Sequence, residues 1–424
     1  MPFKQWIAYA IHSRSSKRPR AGQVVFPRRE DTIRDYPGSG LTPTRLMALL
    51  READAGDLAV PMQLFEEMEE KDAHLFAVAH TRRLALTGLD WQIVSGAEIT
   101  DGVDHAVAVE AADYCREVLD GIDDFDVALQ HLALAHGRNI AIAEIVWEVV
   151  AGRLQPVEIV PVDFTRIVFD ELDHPRILTA EEPRGGIALA PNKFIIHCPH
   201  SVSGHPQRGG LLRVSAMMYL AKNMALKDWM IFAEIFGMPV RIARYEPSAT
   251  AEEKRELIHM LESLGSSAAG IFSRAVQLEI LDTRRARGTS PHQELIEFLN
   301  REISKAWLGQ TLTTDTFGQR GTFAAGRIHE MVRQDILADD RRKEERTIRR
   351  DLLGPITRLR FGDAAPVPHF RRIARRDLNR QETVEVADAA VNRLGMRVPV
   401  RWIHESLRIP EAAGDEPAVK PVGR

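Results

Sequence analysis

Residues 211–236 read LLRVSAMMYLAKNMALKDWMIFAEIF, 26 positions without a glycine or a proline. At about 1.5 Å of rise per residue such a run makes a helix of roughly 39 Å, long for a chain of 424 residues. Apolar side chains surround most of the rod, while Arg213, Lys222, Lys227, Asp228 and Glu234 interrupt it. That mixture suits burial among other helices better than burial in lipid, and some of the covering neighbours are expected to come from other subunits.

On the C-terminal side, Gly237 and Pro239 end the rod, and a βαββ-like pattern follows. It runs as PVRIARY (239–245), a helix TAEEKRELIHMLESLG (250–265), AAGIFSRA (268–275) and VQLEILDT (276–283). A second helix, PHQELIEFLNREISKAWLG (291–309), starts after Ser290 with proline at its first position and returns the chain. Two helices with a small module between them make a stalk with a head. The loop GQTLTTDTFGQRGT (309–322) has neither helical nor strand period and is of a length at which loops tend to carry function. Next comes a long charged helix (323–353), expected to stop at Gly354-Pro355, and then two helices across a Gly395 turn with a polar tail.

On the N-terminal side, residues 1–40 mix Arg, Ser, Pro and Gly as an irregular arm. A helix starts at Thr42-Pro43 and stops at Gly56; another spans 62–88, broken near Asp72 and closed by Gly88. LDWQIV (89–94) reads as a strand, and 105–122 and 125–137 as helices. IAIAEIVWEVV (140–150), LQPVEIVPV (154–162), RIVFD (166–170) and KFIIHC (193–198) are Val- and Ile-rich runs bounded by turn residues, which predicts a small antiparallel sheet. The fold class is therefore α+β, mainly helical.

Fifty-six Lys and Arg against 60 Asp and Glu give a net charge of −4, which excludes a protein that grips DNA over its whole surface. Cys115 and Cys198 are too few for a disulfide framework; both are expected to be packed thiols in a reducing compartment. No secretory-type leader and no apolar run of membrane-spanning length is present, so the expected location is the cytoplasm until the chain enters an assembly.

No phosphate-cradling G-x-x-x-x-G-K-[ST], dinucleotide-binding G-x-G-x-x-G or nucleophile-elbow G-x-S-x-G motif occurs, so neither an enzymatic activity nor a cofactor is expected. HCPH (197–200), with His205 nearby, has zinc-binding residue types but not a full four-ligand spacing. It reads as a strand end running into a Pro/Gly turn with the histidines on its surface, and no metal is expected. The acidic run EEMEEKD (66–72) reads as a solvated helix face. Residues 341–376 hold 12 Lys or Arg and 4 Asp or Glu, a local charge of +8. Two readings stand: contact with DNA or an acidic neighbour, or ion pairing with Glu344, Glu345 and Asp351.

LTPTRLMALLREADAGD (41–57), LFEEMEEKDAHLFAVAHTRRLALTGLDWQI (64–93) and WMIFAEIFGMPVRIARY (229–245), in this order, resemble the portal-protein family of phage Mu and its relatives, over roughly residues 40–410. The resemblance implies an N-terminal arm (1–40), a wing (41–210), stem helices (211–236 and 289–307), a clip (237–288), a tunnel loop (308–322), a long wing helix (323–355) and a short crown-like region with a tail (356–424). It further implies a twelve-fold ring at one capsid vertex of the virion, assembled in the host cytoplasm, as the channel for packaging and ejecting double-stranded DNA. The implied partners are copies of itself, the terminase large subunit, the head-tail adaptor, and the major capsid and scaffold proteins. Gln310, Thr311, Thr313, Thr314, Asp315, Thr316, Gln319 and Arg320 would face the DNA, and Met217, Leu220, Met224, Trp229 and Phe232 would form the stem interface. The rival is a DNA-binding regulator or nuclease using the C-terminal helix pair and the basic window. It needs a recognition surface or a catalytic carboxylate cluster, and the sequence displays neither.

Overall fold

Thr42 starts the first helix, α1 (Pro43–Asp54): its hydroxyl accepts from the Arg45 N–H at 3.2 Å, and Pro43 fills the first turn, where no N–H is needed. The expected helix at 62–88 is two, α2 (Ala59–Lys71) and α3 (Ala73–Thr87). Asp72 makes the break, because its carboxylate accepts from the N–H groups of His74 and Leu75, both at 3.0 Å, and so caps α3. Strand β1 (Trp91–Val94), α4 (His105–Asp120), α5 (Phe125–Ala133) and the single turn α6 (Ala135–Arg138) follow. The computed structural model describes residues 23–24, 36–99, 104–200, 203–237, 241–245, 250–252, 254–255, 259, 269–273, 290–311, 323–373, 380–407 and 409.

β2 (Ala141–Val150) is the centre of an antiparallel sheet, flanked by β3 (Arg153–Pro161) and β7 (Phe194–His197). Where one sheet was expected there are two. Asp163 caps a turn at Phe164–Arg166 and redirects the chain, so β4 (Ile167–Phe169), β5 (Pro175–Ile177) and β6 (Ile187–Ala188) pair separately. Two long helices come next, α7 (Leu211–Gly237) and α8 (Pro291–Leu308). Between them β8 (Arg241–Tyr245) and β9 (Ala269–Ser273) pair in parallel. The expected strand 276–283 lies outside the described residues.

The long helix α9 (Phe323–Ile348) does not stop at Gly354-Pro355. A π-helical turn, Arg349–Leu353, leads directly into α10 (Gly354–Phe361), and the Gly354 N–H reaches back to the Arg349 carbonyl. The wider turn offsets the carbonyls that the Pro355 ring would otherwise strike, so the proline is carried rather than breaking the helix. β10 (His369–Arg372) then pairs antiparallel with β1, placing Arg372 opposite Trp91. The chain divides into two units, Met1–Arg372 and Ile373–Arg424. The second holds α11 (Arg380–Asp388) and α12 (Val400–Leu407), with Gly395 in the left-handed region between them.

Among the described residues, the first unit has two cores. One gathers Leu46, Met62, Phe65 and Leu75 with Leu212, Tyr219, Ile303 and Trp307, so the long helices are rooted among α1–α3. The other gathers Leu119, Leu129, Ile145, Ile195, Leu352 and Phe370. Cys115 is packed inside the second, where burial pushes its thiol up to about 11 and keeps it unreactive. Cys198, expected to be packed as well, is exposed.

Candidate functional site

The candidate site is the rod made by α7 and α8. Trp307 donates its indole N–H to the Ser215 hydroxyl at 3.0 Å, and 17 residues along α7 the Phe232 and His292 rings lie 5.7 Å apart. These two contacts make the helices antiparallel. Towards the root, Leu212, Ala216, Tyr219, Leu220 and Ala225 of α7 are buried, as are Leu299, Ile303 and Trp307 of α8. Beyond Ala225 every described α7 side chain is exposed except Trp229, which is half-buried. Met217, Met224 and Ile231 repeat every seven residues on the outer surface, 40%, 48% and 44% exposed. Leu295 and Phe298 of α8 are exposed too. A seven-residue apolar repeat left open to water is what an assembling subunit presents to another copy.

Of the five residues expected at a stem interface, Met217, Met224 and Phe232 are exposed and Trp229 is half-buried. Leu220 is a correction. It is 3% exposed and packs in the subunit's own core, because it lies on the face of α7 turned towards α8, α1 and α2, and it is not available to a neighbour.

A buried ion pair anchors the rod: Lys222 of α7 donates to Asp72 at 2.7 Å. The acidic run 66–72 is therefore not a solvated face. Glu67, Glu69 and Asp72 are all buried. Glu67 accepts from the Gly38 N–H at 2.6 Å and from Lys71 at 2.5 Å, and Glu69 is held by Arg83 and by Arg138, the latter at 2.7 Å. Burial alone would raise the Glu69 carboxyl; the two guanidinium groups outweigh it and hold it below the ordinary carboxylate value.

At the root of the rod, Gly309 closes α8 in the left-handed conformation, φ +67°, against Val332 and Ile336 of α9. That turn folds Gln310 into the subunit, 4% exposed, so it does not present itself to DNA as expected. Thr311 is half-buried. Thr313, Thr314, Asp315, Thr316, Gln319 and Arg320 lie outside the described residues.

Ion pairing accounts for much of the basic window. Arg372 grips Glu344 with bonds of 2.7 and 3.0 Å in the interior, Arg371 pairs with Glu345 at 2.7 Å, and Lys343 with Asp339 at 2.6 Å. Arg350 pairs with Asp351 at 2.6 Å and also donates to the Ile196 carbonyl at 2.9 Å. HCPH does not form a self-contained site either. His197 is buried with Nδ1 at 2.9 Å from the Thr347 hydroxyl, His200 lies near Lys343, and His205 pairs elsewhere, with Asp173 at 2.9 Å. Among the described residues no helix is long and apolar enough to cross a membrane.

An open apolar repeat on a rod rooted in a mixed α+β body marks a structural subunit built for assembly. A family model for the portal protein of Mu bacteriophage matches residues 62–409. The portal protein of Escherichia phage Mu is 31% identical over 386 residues, covering 90% of this chain and 73% of that protein. A Mu-like prophage FluMu protein gp29 of Haemophilus influenzae is 31% identical over 394 residues, covering 90% of this chain and 73% of its own length. The chain belongs to the family of Mu-type phage portal proteins. Membership makes it a structural component of the virion, not an enzyme, and implies a ring oligomer, which removes the regulator or nuclease reading. Among solved structures, a chain from the neck of an empty gene transfer agent particle is similar at 14% identity and a TM-score of 0.49, covering 92% of this chain and 97% of that one.

Proposed function

We propose that twelve copies close into a ring at one capsid vertex and form the conduit through which the terminase motor drives DNA in and from which DNA later leaves. The observation that carries this reading is the open repeat of Met217, Met224 and Ile231 along the rod. A cyclic assembly uses one head-to-tail interface repeatedly, so a single stripe meeting a different face of the next copy covers the apolar surface of every subunit. The terminase large subunit and then the head-tail adaptor would use the module at 237–288 in turn, while the major capsid and scaffold proteins would surround the wing. The loop at 308–322 would face the duplex. Asp315 and Arg320 cancel in charge, and Thr311, Thr313, Thr314, Thr316 and Gln319 offer weak hydrogen bonds without fixing a position, so the wall does not hold phosphates. Negative-stain images of the purified chain test the reading: closed rings support it, and monomers or dimers at high concentration refute it.

A further inference from the structure

Three side chains far apart in sequence converge between α6, the segment after β7, and α9. His136, His200 and Asp340 each offer a ligand atom, and these atoms lie within 4.8 Å of one another. His136 is 0% exposed, and neither of its ring nitrogens has a hydrogen-bond partner. The buried Nε2 of His200 also lacks one. An imidazole has a donor or acceptor at each nitrogen, and leaving both unmatched in a core is costly unless something fills the gap. His136 Nδ1 stands 3.5 Å from Asp340 Oδ1. That is long for a hydrogen bond, but two ligands at about 2.0–2.1 Å from a tetrahedral ion sit roughly 3.4 Å apart.

We propose that His136, His200 and Asp340 form a site for a divalent transition-metal ion of the zinc class, with a fourth position open to water. Two imidazoles and a carboxylate are a donor set that zinc accepts. Asp340 is held from behind by Arg82, which donates to Oδ2 at 2.8 Å and to Oδ1 at 2.9 Å. Each carboxylate oxygen keeps a second lone pair for the ion. Lys343 Nζ, 3.2 Å from His200 Nδ1, is the cation that opposes binding, but it already pairs with Asp339 at 2.6 Å and can remain there. His197 packs alongside, its ring centre 6.1 Å from that of His136 and its Nε2 unpartnered. The ion would tie α9 to the layer beneath it. Only one of the three ligands belongs to HCPH, so no local spacing pattern exists in the sequence.

The test uses the full chain without a histidine tag, stripped with EDTA and titrated with zinc chloride by calorimetry, with bound metal counted by mass spectrometry. One zinc per subunit and a higher melting temperature are expected. Loss of a direct ligand in His200→Ala should weaken binding by more than the roughly 100-fold that loss of an outer partner can cost. His200 is only half-buried, so this variant keeps its fold, which circular dichroism verifies. His205→Ala, which alters a surface pair, should bind as the parent does. The proposal is overturned if the parent binds no tighter than His200→Ala, or if His205→Ala loses the metal equally.

Discussion

Arg82 holds Asp340 with two parallel hydrogen bonds, of 2.8 and 2.9 Å, across 258 positions of sequence. Its remaining arm donates to the Trp307 carbonyl at 2.8 Å, so one guanidinium joins α3, α8 and α9. Both partners of the pair are nearly covered. In EDTA, Arg82→Met leaves the Asp340 carboxylate buried and unpaired and should cost about 3–5 kcal/mol in urea unfolding. A loss below about 1 kcal/mol, the scale of a surface pair, would contradict this reading.

Gly210 has φ +93°, and a Cβ there would lie 2.4 Å from the Gly137 carbonyl oxygen. The start of α7 therefore depends on a close backbone approach to α6. Gly204 also has positive φ, +83°, but nothing within 4 Å of the same atom. Gly204→Ala should cost about 1–2 kcal/mol of backbone strain alone, and Gly210→Ala distinctly more. Equal melting temperatures for the two variants would show that the close approach carries no weight.

His131 lies beneath β2, its Nε2 3.0 Å from the Ile142 carbonyl, and burial lowers its pKa to about 4. The unfolded chain takes up that proton near pH 6.5, the folded chain only near 4. Between those values the unfolded state binds more protons, so His131 makes stability fall as pH drops through this window, with no further loss below it. Melting curves from pH 7 to 4 should slope less steeply in His131→Gln, and an unchanged slope would assign the pH dependence to other groups.

The elements with local signals were legible. Thr42-Pro43, Asp72, Pro291 and Gly309 mark helix ends by their own chemistry, and the Val and Ile runs of β2 and β7 mark strands. What depended on distant partners was hidden. β10 is four residues long and becomes a strand by pairing with β1. Glu67, Glu69 and Asp72 look like a wet face because Gly38, Arg83, Arg138 and Lys222, which satisfy them, are elsewhere in the chain. α7 is apolar nearly all round, so periodicity could not tell Leu220, which faces the subunit's own core, from Met224, which faces out.

In the proposed channel, the loop at 308–322 would present little net charge to DNA. Lysines at Thr313, Thr314 and Thr316 should leave rings intact yet slow or stall DNA packaging, most at low salt, where phosphate attraction is least screened. Packaging at the parent rate across the salt range, with rings intact, would mean that the loop does not touch DNA.

The central claim is that the outer stripe of α7 is where one subunit meets the next. Met224 is 48% exposed in the subunit, so Met224→Glu should leave the fold and melting temperature of a single subunit unchanged. Against a neighbour, the same carboxylate would be buried without a partner, at a cost of several kcal/mol per interface. Light scattering after size-exclusion chromatography, run side by side on parent and variant, decides the matter. A parent ring of about twelve subunits and a variant that elutes as folded monomers is the predicted result; a Met224→Glu protein that still elutes as the intact ring would contradict it.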